Sequence, residues 1–311
     1  MLARVADNLY WLGRYIERTE HLSRYLNIQY FSALDTTSDY QRDLALKSIA
    51  NMVGIDSEGE GYAFEEEILV AVAMDESNQA SIKSCMHFAR ENARGARDLI
   101  SREVWNAINK FYRFINDYPE DYYKTQGLFD FTHTTIENCA IIKNRIQSTM
   151  LHDEVWAFAK MGLHIERATQ ITRILISKFE DIKRVKERDN KSVESFQLVT
   201  LLKSAEGLDM YHREYSILPQ QKETLEFMVL NARFPRSITY NVSSLRKHIL
   251  QVAPNKGIEK DSIEWNIGRM SEYLKYLTVE EFADDPLSFL NKTLVYLNDL
   301  NSLLSKEYLN H

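Results

Sequence analysis

From about residue 4 to residue 33, apolar residues recur at three- and four-residue steps: Val5, Leu9, Leu12, Ile16 and Leu26. That is the period of an α-helix. A second face of the same stretch carries Asn8, Trp11, Tyr15, Arg18, Leu22 and Tyr25. A helix that is apolar on more than one face belongs at the centre of a structure. Similar patterning predicts helices near 39–53, onward from about Phe64, and across 79–116 with a kink at Gly95. Two long helices are predicted over 127–182 with a break at His152-Asp153, then others near 193–215, 221–231, 237–251, 258–277 and 287–308. Thr37 or Ser38 is placed to cap the second helix. Gly54 to Gly61 reads as a loop, Asp75 to Asn78 as a break, and Pro119 as the start of a short helix or turn. Pro219, Pro235, Pro254 and Pro286 fall at or near predicted boundaries. The charged run Lys183 to Ser192 reads as a linker or as a solvated helix end. No stretch combines sustained two-residue alternation with β-branched enrichment, so the expected fold is an all-α long-helix bundle.

Part of the first helix returns later in the chain. Gly13-Arg14-Tyr15-Ile16-Glu17-Arg18 aligns with Gly162-Leu163-His164-Ile165-Glu166-Arg167 at a constant offset of 149 residues, and Arg24 aligns with Arg173. This reads as a duplicated helical unit. A glycine inside a helix costs about 1 kcal/mol relative to alanine, and close helix approach accounts for its presence there. Gly13 and Gly162 are therefore expected to mark the crossing of two equivalent helices. The expected organisation is a single domain over 1–311, with pseudo-repeats at about 1–150 and 151–255 and further helices over 256–311.

Composition narrows the function classes. A net charge of −7 argues against a general nucleic-acid binder. Cys85 and Cys139 stand at unrelated spacing and read as core fillers, which fits a reducing compartment. The opening residues have no apolar core of a signal peptide, and the longest apolar run, Ile68 to Met74, is too short to span a bilayer. The expected location is the cytoplasm.

Within the first helix, Tyr10, Arg14, Glu17, His21 and Arg24 form one polar stripe. Buried charges must be paired or must meet a charged ligand. The stripe is therefore either an internal salt-bridge ladder or part of a site. A second segment bears on the choice, because Arg90, Arg94, Arg97 and Ser101 fall on one helical face. Their guanidiniums suit carboxylate or phosphate. They pair with Glu17, Glu20 and Glu166, or cradle an anion, or are quenched locally by Glu91, Asp98 and Glu103. Metal sites of helical bundles use Glu-x-x-His, which this chain lacks, so no metal or cofactor is expected. Ser237 reads as a helix cap after Pro235, with Arg236 beside the helix N-terminus.

These stretches resemble the bacterial alpha-E domain family. The opening pattern is carried by Met1, Leu2, Arg4, Ala6, Asn8 to Tyr15, Glu17, Arg18 and Glu20. A second is carried by Ala89 to Arg94, Arg97, Asp98, Ser101, Glu103 and Trp105, and a third by Phe234 to Ser237. Leu163 and His164 depart from the Arg-Tyr expected in the second copy. The resemblance implies association with an ATP-grasp-type ligase and a transglutaminase-like protein in a system that makes amide-linked peptides. It gives the arginines a ligand class of carboxylates, acyl-phosphates or peptide C-termini. Expected ligand-binding residues are Asn8, Tyr10, Arg14, Arg18, Glu20, Arg90, Glu91, Asn92, Arg94, Arg97, Arg167 and Arg236. Three readings follow. The chain is an accessory or co-catalytic partner of the ligase, a stand-alone enzyme using Glu17 and Glu166 as an acid–base pair, or an assembly module with buried salt bridges only.

Overall fold

Helix α1 (Ala3–Leu34) is the 32-residue element that the opening pattern predicts. It buries Leu9, Leu12, Ile16 and Leu26 and also the tyrosines Tyr10 and Tyr25. The computed structural model describes residues 2–35, 39–55, 62–186, 191–253 and 257–309. After α1 come α2 (Asp39–Met52), α3 (Tyr62–Ala73), α4 (Ile82–Gly95), α5 (Arg102–Asp117), α6 (Glu120–Tyr122), α7 (Leu128–Thr149) and α8 (Glu154–Lys186). The remainder comprises α9 (Lys191–Ser204), α10 (Leu208–Tyr215), α11 (Gln221–Leu225), α12 (Ile238–Val252), α13 (Ile263–Tyr276) and α14 (Pro286–Leu304). Wide π-helical turns extend α11 and α14, and another leads into α7. No strand occurs among the described residues, and the chain is all-α.

The chain divides into two units, Met1–Leu163 and His164–His311, with the boundary inside α8. In the first unit α1 packs on α2, α4 and α7, and α5 packs on both α4 and α7. Its core joins the α1 leucines to Ile82, Met86, Ala89, Ile108, Phe111, Phe131 and Ile142. Burying each of the large aliphatic or aromatic side chains is worth roughly 1.5–3 kcal/mol. In the second unit α12 packs on α13, α13 on α14, and α9 on α10 and α11.

Gly13 and Gly162 share one helix crossing inside the first unit. A β-carbon at Gly13 would collide with the Ala159 carbonyl and the Leu163 amide nitrogen. One at Gly162 would collide with the Tyr10 carbonyl and the Arg14 amide nitrogen. The contacts are reciprocal, since each glycine lies over the backbone three residues before and one residue after the other.

Two expected helices are divided. The pattern over 79–116 resolves into α4 and α5, separated by a turn, with Ser101 capping α5 by accepting from the Val104 amide at 3.2 Å. Arg97 and Ser101 are therefore not on the helix face of Arg90 and Arg94. The helix ends at Gly95, onto which the Asn8 side chain packs. Likewise 193–215 breaks between α9 and α10, where Glu206 takes a positive φ of 51° and the Phe234 ring packs onto Gly207. The charged run begins as the end of α8, while its residues 187–190 lie outside the described residues, as do Thr37, Ser38 and 56–61.

The crossing makes a prediction of sign. Alanine at an ordinary helix interior position should stabilise relative to glycine by about 0.5–1 kcal/mol. Because the obstacle at Gly13 is backbone, Gly13→Ala should instead destabilise by on the order of 2 kcal/mol. Urea denaturation of the variant measures it, and a rise in midpoint would contradict the crossing.

Candidate functional site

The predicted polar stripe of α1 lies inside the protein. Tyr10, Glu17 and His21 are fully buried, and Arg14 and Arg24 nearly so. Carboxylates in such a place must be compensated. Glu17 Oε1 meets His21 Nε2 at 3.2 Å, and Lys143 Nζ of α7 donates to Glu17 Oε2 at 3.3 Å. Lys143 also donates to Glu20, which pairs in addition with Arg24 one turn along α1. Two carboxylates thus meet a lysine and an arginine, with an imidazole at one end. Arg14 places its guanidinium 4.6 Å from the Trp11 ring and 5.7 Å from that of Tyr10, and Arg18 lies 5.7 Å from Tyr15. These cation–π contacts let arginines sit in an aromatic setting. One turn before Lys143, Cys139 is buried. Burial and then the charge of Glu17 push its thiol well above the ordinary value, so it is held protonated and unreactive.

Lys143 was not among the residues singled out from sequence. Its signal was a cation one turn beyond Cys139, next to the apolar face that includes Ile142 and Ile146.

The arginines of α4 occupy a different setting. Arg90 Nε donates to Asn109 Oδ1 at 3.0 Å, its Nη1 reaches Glu91 at 3.2 Å, and its guanidinium lies over Tyr112 at 4.6 Å. Arg94 pairs with the same Glu91 and is 66% exposed. Arg97, in the turn after α4, lies over Trp105 at 5.4 Å. Asn92 turns back to the Phe88 carbonyl at 2.8 Å. Local compensation by Glu91 is thus what holds Arg90 and Arg94, while Arg97 has no ion pair among the described residues. Asn8 contacts the end of this helix at Gly95. The aromatic pairs Trp11–Tyr15 and Tyr15–Phe88, at 5.4 and 5.3 Å, connect the α1 motif to α4.

In the second unit, Glu166 is fully buried and accepts from Gln170 Nε2 at 2.8 Å. Arg167 Nη1 donates to the Pro235 carbonyl at 3.4 Å. Asn241 Nδ2 donates to the carbonyls of Pro235 at 3.0 Å and Ser237 at 2.7 Å. Its Oδ1 must then be the acceptor for His164 Nδ1 at 2.9 Å, which fixes the proton on that nitrogen. His164 stacks on His248 with centroids 5.5 Å apart. Ser237 caps α12, accepting from the Tyr240 amide at 3.0 Å, as its position predicts. Arg236 pairs with Glu206 at 2.5 Å. The Phe-Pro-Arg-Ser turn and the second Glu-Arg pair are therefore parts of one polar cluster.

Residues 1–309 match the Alpha-E family, described as a predicted alpha-helical domain with a conserved ER motif, and the chain belongs to that family. Glu17-Arg18 and Glu166-Arg167 are Glu-Arg pairs with the glutamate buried and the arginine half-buried. The chain is similar to uncharacterized protein Mb2597 of Mycobacterium bovis, at 22% identity over 300 residues, 90% of this chain and 33% of the relative. It is similar also to uncharacterized protein Rv2567 of Mycobacterium tuberculosis, at 21% identity with the same coverage. It thus spans about a third of the length of these curated relatives. No solved structure matches it. No helix among the described residues is long and apolar enough to cross a membrane.

Removing Lys143 leaves two buried carboxylates short of a cation. Loss of one partner from a buried ion pair costs roughly 3–5 kcal/mol, and the partial exposure of Lys143 places the expected cost at the lower end. Lys143→Met should therefore lower stability by about 3 kcal/mol in chemical denaturation at neutral pH. A variant as stable as the parent would show that Lys143 does not compensate these groups.

Proposed function

We propose that this domain is an accessory component of an ATP-dependent amide- or peptide-ligation system in the cytoplasm, binding an anionic peptide or carboxylate through the arginines of α4 and the following turn. The observation that carries this reading is a surplus of guanidinium: Arg90, Arg94 and Arg97 have one carboxylate partner between them, Glu91. Arg94 faces solvent, and Arg90 and Arg97 are held over aromatic rings that pre-orient their forks. A carboxylate arriving at this face would gain charge-assisted hydrogen bonds, each worth about 1.5–3 kcal/mol.

The partners implied by the family resemblance, an ATP-grasp-type ligase and a transglutaminase-like protein, supply such a carboxylate as substrate or product. The much longer relatives support a domain that works beside others. The α1 carboxylates are best read as structural groups, because the cations around Glu17 and Glu20 balance them. The reciprocal glycine crossing supports reading the two Gly-x-x-Ile-Glu-Arg segments as descendants of one duplicated unit.

Peptides differing only at the C-terminus test this reading. A free carboxylate should be bound at least tenfold more tightly than its amide, corresponding to about 1.4 kcal/mol or more. Arg94→Ala combined with Arg97→Ala should erase the difference while leaving the circular dichroism spectrum unchanged. Isothermal titration calorimetry reads both effects, and equal binding of acid and amide by the parent protein would sink the proposal.

A further inference from the structure

Helices α13 and α14 enclose a groove of about 300 Å³ in the second unit. Its walls are set by helical spacing, with Met270, Tyr273 and Leu274 on α13 and Phe289, Thr293 and Tyr296 on α14. Two of the rings are fixed from behind. Phe289 stacks on Phe282 at 4.2 Å, and the Tyr296 hydroxyl donates to the Asn266 carbonyl at 2.9 Å. Tyr273 is 56% exposed at the opening. A cleft of this size, apolar with a few polar groups, is of the kind that takes small molecules.

The charges at its edge have one sign. Arg269 and Lys292 line the groove, and no carboxylate does. Neither forms an ion pair among the described residues, although the chain carries 45 acidic groups against 38 basic ones. The acids of the two helices are directed elsewhere. Glu272 is taken by Arg246 of α12 at 2.7 Å, Glu264 is bound by the Tyr308 hydroxyl, and Asp285 caps α14. Asp299 lies almost a turn beyond Tyr296 and outside the lining. Arg269 sits 4.4 Å from the Trp265 ring, which holds its guanidinium in place. Burial raises the pKa of the Tyr296 phenol, Arg269 opposes the rise, and Asp299 adds to it.

We infer that the α13–α14 groove is a binding site for a small amphiphilic carboxylate, its apolar chain against Met270, Leu274, Phe289 and Tyr296 and its carboxylate between Arg269 and Lys292. The charge complementarity selects an anion over a neutral apolar body of the same length. The site is independent of the α4 arginines and of the reading given for them.

Decanoate is the probe, with decanol and decyltrimethylammonium as neutral and cationic counterparts, titrated below their aggregation concentrations by calorimetry and by Trp265 fluorescence. Decanoate should bind saturably at one site, decanol at least tenfold more weakly, and the cation not at all. Lys292→Glu and Arg269→Glu should each weaken decanoate binding at least tenfold. Tyr273→Glu, at an exposed position, should do the same with no change in the circular dichroism spectrum. Should Tyr273→Glu fail to fold, the two exposed charge reversals still decide the matter. Arg94→Ala should have no effect. Equal binding of decanoate and decanol, non-saturable uptake, or charge reversals that leave the affinity unchanged would overturn the assignment.

Discussion

The close approach of two helix backbones at Gly13 and Gly162 is the constraint on which the first unit depends. Each glycine gives up helix propensity to let the opposing backbone lie against it. That choice has consequences for every residue around it. Tyr10 and Arg14, one on each side of the contact, are carried into the interior with the backbone that Gly162 touches. One turn beyond Gly13 the same geometry buries Glu17, whose charge then has to be met. The contacts of Glu17 with His21 and Lys143 are therefore consequences of the crossing. Desolvating such groups offsets much of the attraction between them.

The same constraint explains why the Glu-Arg pair divides its labour. Adjacent residues on a helix point about 100° apart, so a buried glutamate hands its neighbour to the helix flank. Arg18 and Arg167 occupy that half-buried flank, one over Tyr15 and the other on the Pro235 carbonyl. The family's characteristic motif is, in this chain, an internal acid next to a peripheral cation. The internal member belongs to packing.

Much of this was legible in the sequence, and the exceptions have a common cause. Periodicity located α1, α7, α8 and α12. The interior glycines marked the crossing because a glycine in a strong helical pattern sacrifices propensity for close backbone contact. The polar stripe could be recognised as buried because its neighbours were apolar on both sides. What local patterning could not supply were features set by distant residues. Apolar spacing runs straight through 96–101, and the helix stops there where Asn8 meets Gly95. Between α9 and α10, it is Phe234 that fills the space over Gly207. Lys143 stands more than a hundred residues from the carboxylates it serves, and a lone lysine in a helix reads as solvated unless its partner is known.

The arginines of α4 separate chemistry from architecture most clearly. Had they been the counter-ions of Glu17 and Glu20, they would be spent inside the protein and unavailable for binding. Lys143 and Arg24 fill that role, and one surface glutamate serves Arg90 and Arg94. A surface ion pair of this kind is worth about 0–1 kcal/mol. An incoming carboxylate that offers better geometry can therefore displace Glu91 at small cost. The weakness of the pairing at α4, set against the closure of the ion pairs on α1, is the physical reason to look for a ligand at α4 rather than in the interior.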